Sequence, residues 1–189
     1  YIAREAAGRP IVAVGGQDGV VRAFHNVCRH RGMRIASEQG CAKAFVCPYH
    51  GWTYELDGRL RHVPHAEGFP GLDKADHSLA PLAAFERHGL VFVSQAKDAD
   101  QGDLAGLPEL IGQSQRLYAT SARDTEANWK IVLEGFLEGY HIRVTHPESF
   151  YPYGFDNLNV IEWIGRHSRV TFPFRRIEKL AAVPPHERR

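Results

Sequence analysis

No run of apolar residues in this chain approaches the length that crosses a bilayer, so a membrane-spanning helix is not expected. An excess of charge is lacking too. The 23 basic side chains stand against 22 acidic ones, a net +1 over 189 residues, and the two signs are mixed without a basic block. That removes the electrostatic case for nucleic acid or an anionic lipid surface as a partner. Cysteine is scarce: three thiols do not make the framework of a disulfide-stapled secreted domain, and no signal-peptide pattern opens the residues. Both point to a reducing, cytoplasmic compartment. Methionine occurs once, and residue 1 is Tyr1; residues 183–189 read as a mid-protein loop, so both ends are expected to be cut from something longer. What remains is a chain of ordinary composition, long enough to bury one large core or two small ones.

Against that plain background, Cys28-Arg-His30 and Cys47-Pro-Tyr-His50 stand out, separated by sixteen residues. Two thiolates and two imidazoles on two loops are the ligand set of a Rieske [2Fe–2S] centre, in which two cysteines hold one iron and two histidines the other. A structural zinc site can use the same four donors and is the competing reading. Glycines close behind each histidine, Gly32 and Gly51, favour the cluster, because they let both loops turn sharply around a buried group. Cys41 is left over and reads as a small packed residue. Trp52 and Tyr54 are expected to pack beneath the cluster. His62, His65, His77, His88 and His167 read as surface or turn histidines.

Up to about residue 95 the pattern is of short strands between glycine turns. Residues 10–15 and 20–25 form a hairpin across Gly16-Gln17-Asp18-Gly19. Residues 44–47 and 52–56 flank the second ligand loop, Asp57-Gly58 turns into residues 59–62, and residues 83–86 pair with 90–94. Residues 96–115, rich in Asp, Gly and Gln, read as a connector containing the domain boundary. Beyond it, residues 116–124 are a candidate strand. Residues 126–140 are a helix whose Trp129, Val132, Leu133, Phe136 and Leu137 fall on one buried face. Residues 160–164 and 169–174 make a second hairpin around Gly165-Arg166-His167.

The helix predicted over 126–140 carries Glu134 and Glu138, with His141 in line at i, i+4 and i+7. His146 would lie about 140° off that face at 3.6 residues per turn. Pro147 pushes it out of helical conformation, so it belongs at a helix end from which its ring can swing back towards His141. Two converging histidines plus a carboxylate would make the facial triad of a non-haem Fe(II) oxygenase. On its own the spacing more often marks surface or hydrogen-bonded histidines and a solvated acidic face than metal ligands. The aromatic run 150–155 fits either a packed loop or a substrate-pocket wall.

Together the two constellations, Cys28 to Trp52 and Asn128 to His146, resemble the α (oxygenase) subunit of Rieske non-haem iron aromatic-ring-hydroxylating oxygenases over nearly the whole chain. The resemblance implies an α+β protein: an all-β Rieske [2Fe–2S] domain over 1–110, then the start of an α+β helix-grip (START-like) catalytic domain over 111–189. It implies Cys28 and Cys47 on one cluster iron and His30 and His50 on the other. His141 and His146 would be two ligands of a mononuclear Fe(II), Glu138 the carboxylate linking His141 to a cluster histidine of a neighbouring subunit, and Asn128 the asparagine near the active-site iron. Glu138 stands where the family usually has aspartate, as in branches resembling carnitine- and choline-type monooxygenases. The third iron ligand, a downstream aspartate, matches nothing up to Arg189; Glu148, Asp156 and Glu162 read as loop and strand residues. Met33 and Tyr49 occupy the places of the disulfide cysteines of respiratory Rieske proteins, which points to the oxygenase or ferredoxin branch. The implied partners are an NAD(P)H-dependent reductase, a ferredoxin, O2 and a small organic substrate, and the implied assembly is a homotrimer or α3β3. An electron-transfer protein without oxygenase chemistry is the alternative. A segment unable to complete its iron site is a third possibility.

Overall fold

The computed structural model describes residues 1–189 except 97, 98, 100, 110, 113, 188 and 189, together with all side chains but those of 103 and 185. The chain divides into two compact units, Tyr1–Leu104 with Glu109–Gln113, and Ala105–Pro108 with Ser114–Arg189. The boundary expected at 110/111 touches Leu110, outside the described residues.

The first unit is all-β. A five-stranded antiparallel sheet runs in the order β1 (Ile2–Ala6), β2 (Arg9–Gly15), β3 (Val21–His25), β7 (Pro81–Arg87), β8 (Leu90–Ser94). Against it lies a small sheet of β4 (Phe45–Val46), β5 (Thr53–Tyr54) and β6 (Leu60–His62). The β2–β3 hairpin forms as its sequence dictates. Gly19 takes φ +76°, and Asp18 binds the Arg22 guanidinium through both carboxylate oxygens, at 3.0 and 2.7 Å, while accepting the Val20 N–H. That pairing, with the guanidinium as the main cause, holds the Asp18 carboxyl down at about 2. Strand β1 was not anticipated: its apolar residues are few, and only pairing of Ile2–Ala6 with Arg9–Ala13 makes it a strand.

The core of this unit is Val12, Val14, Phe24, Ile35, Phe45, Trp52, Tyr54, Leu60, Val63 and Leu79, and it includes Cys28 and Cys47. The cysteines of both loops are therefore core residues, held by the same packing that holds the sheets. Cys41, expected to be packed, is instead exposed, because the loop carrying it lies outside both sheets. Gly58 marks how tightly the small sheet meets the large one. At φ +89° it has room for no side chain: a Cβ there would lie 2.4 Å from the Phe24 ring. Gly58→Ala is expected to destabilise the protein by about 3 kcal/mol, from overpacking and a left-handed backbone together. Guanidinium unfolding followed by circular dichroism checks this, and an unshifted midpoint would contradict it.

In the second unit, α1 (Trp129–Leu137) is capped by Asn128, whose Oδ1 accepts the Lys130 N–H at 3.0 Å. A four-residue helix α2 (Ile142–Thr145) follows, and then a hairpin of β9 (Val160–Ile164) and β10 (His167–Thr171). Three expectations are corrected. Residues 116–124 form no strand. The apolar face of α1 is not buried within this unit; Trp129 is 68% and Phe136 76% exposed. And α1 stops at Leu137, so Glu138 and His141 do not share a helix face with Glu134. Gly139 breaks the helix, and the Glu138 carboxylate accepts the backbone N–H groups of Tyr140 (2.6 Å) and His141 (3.3 Å), replacing helix bonds with a local cap. The second hairpin forms around Gly165-Arg166 with its return strand starting at His167, two residues earlier than expected.

Candidate iron–sulfur and iron sites

The two ligand loops are built on one hydrogen-bond template. In the first, the Cys28 N–H donates to Met33 O at 2.8 Å and the Gly32 N–H to Cys28 O at 3.0 Å. In the second, the Cys47 N–H donates to Trp52 O at 2.8 Å and the Gly51 N–H to Cys47 O at 3.0 Å. Each glycine stands four residues after its cysteine, at φ +75° and +72°, a conformation other residues rarely adopt. Only the histidine differs in place: second after Cys28, third after Cys47.

The four donors come together as two pairs. Cys28 and Cys47 are both buried, unbridged and in the same core cluster, near enough to bear on each other's ionisation. The His30 and His50 rings meet edge to face with centroids 4.7 Å apart. Among the described residues no three such groups converge on one point. Paired thiols and paired imidazoles are the ligand set of a two-iron cluster, and a structural zinc uses the same donor types. The His30 Nδ1 is buried without a hydrogen-bond partner, an orphan that metal coordination would satisfy. Burial, then the neighbouring His50 and Arg31, push the His30 imidazole below its ordinary pKa and keep it in the neutral, ligating form. Burial also pushes the Cys47 thiol up, so a metal is needed to hold it as thiolate.

Aromatic groups enclose the pair. His30 stacks on Trp52 at 4.9 Å with planes 6° apart, Trp52 meets Phe69 and His77 edge-on, and exposed Tyr49 stacks on His50 at 3.8 Å. His77, expected at the surface, is half-buried in this stack. Tyr54 is fully buried; its hydroxyl accepts the Arg29 N–H at 3.0 Å and lies 3.3 Å from Cys28 Sγ. Burial and the sulfur raise its pKa, so it stays protonated and would donate to Cys28 once that sulfur is a metal-bound thiolate. Hydrogen bonds to cluster sulfurs stabilise the reduced, more negative state and raise its potential. Tyr54→Phe is expected to retain the cluster and lower its potential by about 60 mV, the equivalent of tenfold for one electron. Protein-film voltammetry reads this, and an unchanged potential would remove Tyr54 from the tuning role.

In the second unit, His141 precedes α2 and His146 ends it, as Pro147 requires. Their rings lie 5.5 Å apart at 69°. Glu138 hydrogen-bonds His141 Nδ1 through Oε1, and this contact, with the two backbone N–H groups, holds its carboxyl below the usual range. A carboxylate on Nδ1–H fixes the tautomer and leaves the Nε2 lone pair free for a metal. These three groups border an apolar recess of about 560 Å³, walled by Ile131, Phe136, Phe150 and Phe172 among others. Phe150 thus faces the recess, while Tyr151 and Phe155 stack on Arg175 at 4.8 and 5.0 Å, so the aromatic run both lines and packs. Asn128 is not brought into the recess; its side chain caps α1. Two histidines fit two positions of a facial triad, and among the described residues no further carboxylate joins them.

Paired thiols and paired imidazoles on twin loops define, by class, a Rieske-type iron–sulfur domain. Comparison with known proteins agrees. Residues 1–85 match the model of the Rieske [2Fe-2S] domain, and residues 114–188 that of the ring hydroxylating alpha subunit (catalytic domain). The chain belongs to the family of Rieske non-haem iron ring-hydroxylating oxygenase α subunits, which carry a [2Fe–2S] cluster and a mononuclear iron. It is 38% identical, over 78% of its length and 42% of the relative's, to a carnitine monooxygenase oxygenase subunit of Acinetobacter baumannii. To a glycine betaine monooxygenase oxygenase subunit of Chromohalobacter salexigens it is 39% identical, over 78% of its length and 35% of the relative's. Among solved structures it is similar to a quaternary ammonium Rieske monooxygenase in complex with L-carnitine, with TM-score 0.79, 31% identity and coverage of 91% and 51% of the two chains. Naphthalene 1,2-dioxygenase from Rhodococcus sp. gives TM-score 0.72, 29% identity and coverage of 92% and 45%. The chain therefore spans about two fifths of the length of the curated relatives it matches. Among the described residues no helix is long and apolar enough to cross a membrane.

Proposed function

We propose that the protein is the terminal oxygenase component of a multicomponent system that hydroxylates a small organic substrate. A reductase, with or without a ferredoxin, supplies electrons from NAD(P)H. Residues 1–110 form the Rieske domain and 111–189 the first part of the catalytic domain. One observation carries the reading: the same chain holds a paired Cys/His site and, separately, a two-histidine site beside an apolar recess. An electron carrier has use for the first alone.

Cys28, Cys47, His30 and His50 would hold the cluster, and His141 and His146 two positions of the mononuclear iron. When bound, these groups supply single electrons and a centre at which O2 is reduced. The chain's own residues do the rest. Neutral His30 can ligate without a prior proton loss, and the Tyr54 hydroxyl would donate to Cys28 Sγ once that sulfur is metal-bound. Glu138 holds the His141 Nδ1 proton and so fixes which nitrogen faces the recess. Ile131, Phe136, Phe150 and Phe172 give the substrate an apolar surface to bind against. A ring of subunits, a homotrimer or α3β3, belongs to this reading, with Glu138 of one copy meeting His50 of the next. Glutamate at position 138 and the carnitine and glycine betaine relatives favour a quaternary ammonium substrate over an arene.

The test is iron analysis of the full-length protein with O2 uptake in the presence of a reductase, comparing L-carnitine, glycine betaine and naphthalene. Three irons per chain and uptake dependent on a quaternary amine are expected. Two irons with no substrate-dependent uptake would leave an electron-transfer protein in its place.

A further inference from the structure

The two ligand loops share their inner hydrogen bonds but are closed at the base by different means. The second loop is closed by a β ladder, in which Phe45 pairs with Tyr54 and Val46 with Thr53. The first has no ladder at its base. Between its flanks lies the side chain of Asn26, two residues before Cys28 and 2% exposed, the one buried polar or charged side chain among the described residues. Its Oδ1 accepts the N–H groups of Ile35 (3.1 Å) and Ala36 (3.0 Å), and its Nδ2 donates to Ala36 O at 2.8 Å. The backbone N–H of Asn26 meanwhile donates to Pro10 O at 2.9 Å, which anchors the residue to β2. A side-chain amide that both accepts from and donates to the opposite main chain does what a ladder rung does.

We propose that Asn26 is a positioning residue for the cluster: its carboxamide is the rung that closes the first ligand loop and sets the orientation of His30. The inference rests on the cluster assignment above. The loop from Asn26 to Ala36 contains both Cys28 and His30, and the orphaned His30 Nδ1 gives that ring no hydrogen bond of its own to hold it. Before metal binding its orientation is set by ring contacts with Trp52, Phe69 and His50 and by the shape of the loop. Removing the rung frees the first loop and leaves the second unchanged. A general packing defect would loosen both alike, and that difference separates positioning from plain stability.

The experiment uses the full-length protein with its cluster, as wild type, Asn26→Ala and Asn26→Asp. Pulsed EPR of the reduced cluster reads two histidine nitrogen couplings, and hydrogen exchange of the metal-free form reads the amides of Ile35, Ala36 and Gly51. In Asn26→Ala one of the two nitrogen couplings shifts, and iron loss to a chelator accelerates about tenfold. The Ile35 and Ala36 amides exchange about tenfold faster while Gly51 keeps its rate. Asn26→Asp retains both acceptor contacts, so it keeps the Ile35 and Ala36 protection while showing the same single coupling shift to a smaller extent. If Asn26→Ala does not fold, Asn26→Asp decides. Unchanged couplings, or equal changes in both loops, overturn the proposal. A wild-type protein without a Rieske signal instead overturns the cluster assignment, and the exchange data then report loop closure alone.

Discussion

Glu138→Gln lowers substrate-coupled turnover of the full-length protein by about 100-fold and leaves the visible and EPR spectra of the cluster unchanged. This expectation follows from the way the carboxylate is used. Oε1 takes the His141 Nδ1 proton, while Oε2 takes the N–H groups of Tyr140 and His141. Every contact is a donor pointing at an acceptor. Glutamine has one oxygen and an NH2 group, so whichever way it flips, one set of donors meets another donor. Either His141 loses its fixed tautomer or the turn into α2 opens. Neither removes a ligand of the cluster, since Cys28, His30, Cys47 and His50 are all retained. Steady-state O2 uptake beside cluster spectroscopy separates the outcomes. Wild-type turnover would sink the role given to Glu138, and a lost cluster signal would recast it as a folding residue.

Cys47→Ala is the second large effect, and it acts on the first unit. Complete loss of the [2Fe–2S] spectrum is expected, with the melting transition of the protein shifted to lower temperature. The missing thiol volume is small. What counts is that the loops then have nothing to hold them together: Cys28 is left as a buried thiol and His30 Nδ1 stays buried and unpaired. One such orphan costs about 1–3 kcal/mol. Metal-ligand bonds contribute to folding wherever the ligands lie in a core, and both cysteines do here. Iron content, visible absorption and differential scanning calorimetry measure the three consequences. Two irons retained by the variant would mean that Cys47 is not a ligand.

Much of this was legible because the chemistry is local. Cysteine, histidine and glycine at short spacing specify a loop, and the structure gives both loops the turn their glycines demand. The β2–β3 hairpin was readable from Asp18-Gly19 for the same reason. Tertiary context decided the rest. Strand β1 has no clear alternation and exists through its partner. The end of α1 turned on a carboxylate folding back on its own backbone, which periodicity cannot register. The apolar stripe on α1 was read from its spacing as buried, yet spacing says only which residues share a face. Whether that face is covered depends on surrounding chain. Asn26 went unnoticed because a single asparagine at a strand end carries no pattern; only its three backbone contacts show its use. Asn128, which the family resemblance implies near the iron, caps α1 with its side chain, a use asparagine serves in many helices.

The twin loops carry one further consequence. Because the turns are alike while the histidines leave them one position apart, the imidazoles cannot be equivalent. They meet at 63°, one backed by the buried indole of Trp52 and the other overlaid by the exposed phenol of Tyr49. A near-symmetric frame thus yields an object with a front and a back. His30 has the interior indole at its back, and His50 has a surface phenol over its face. A single added residue between cysteine and histidine is enough to give the site this polarity.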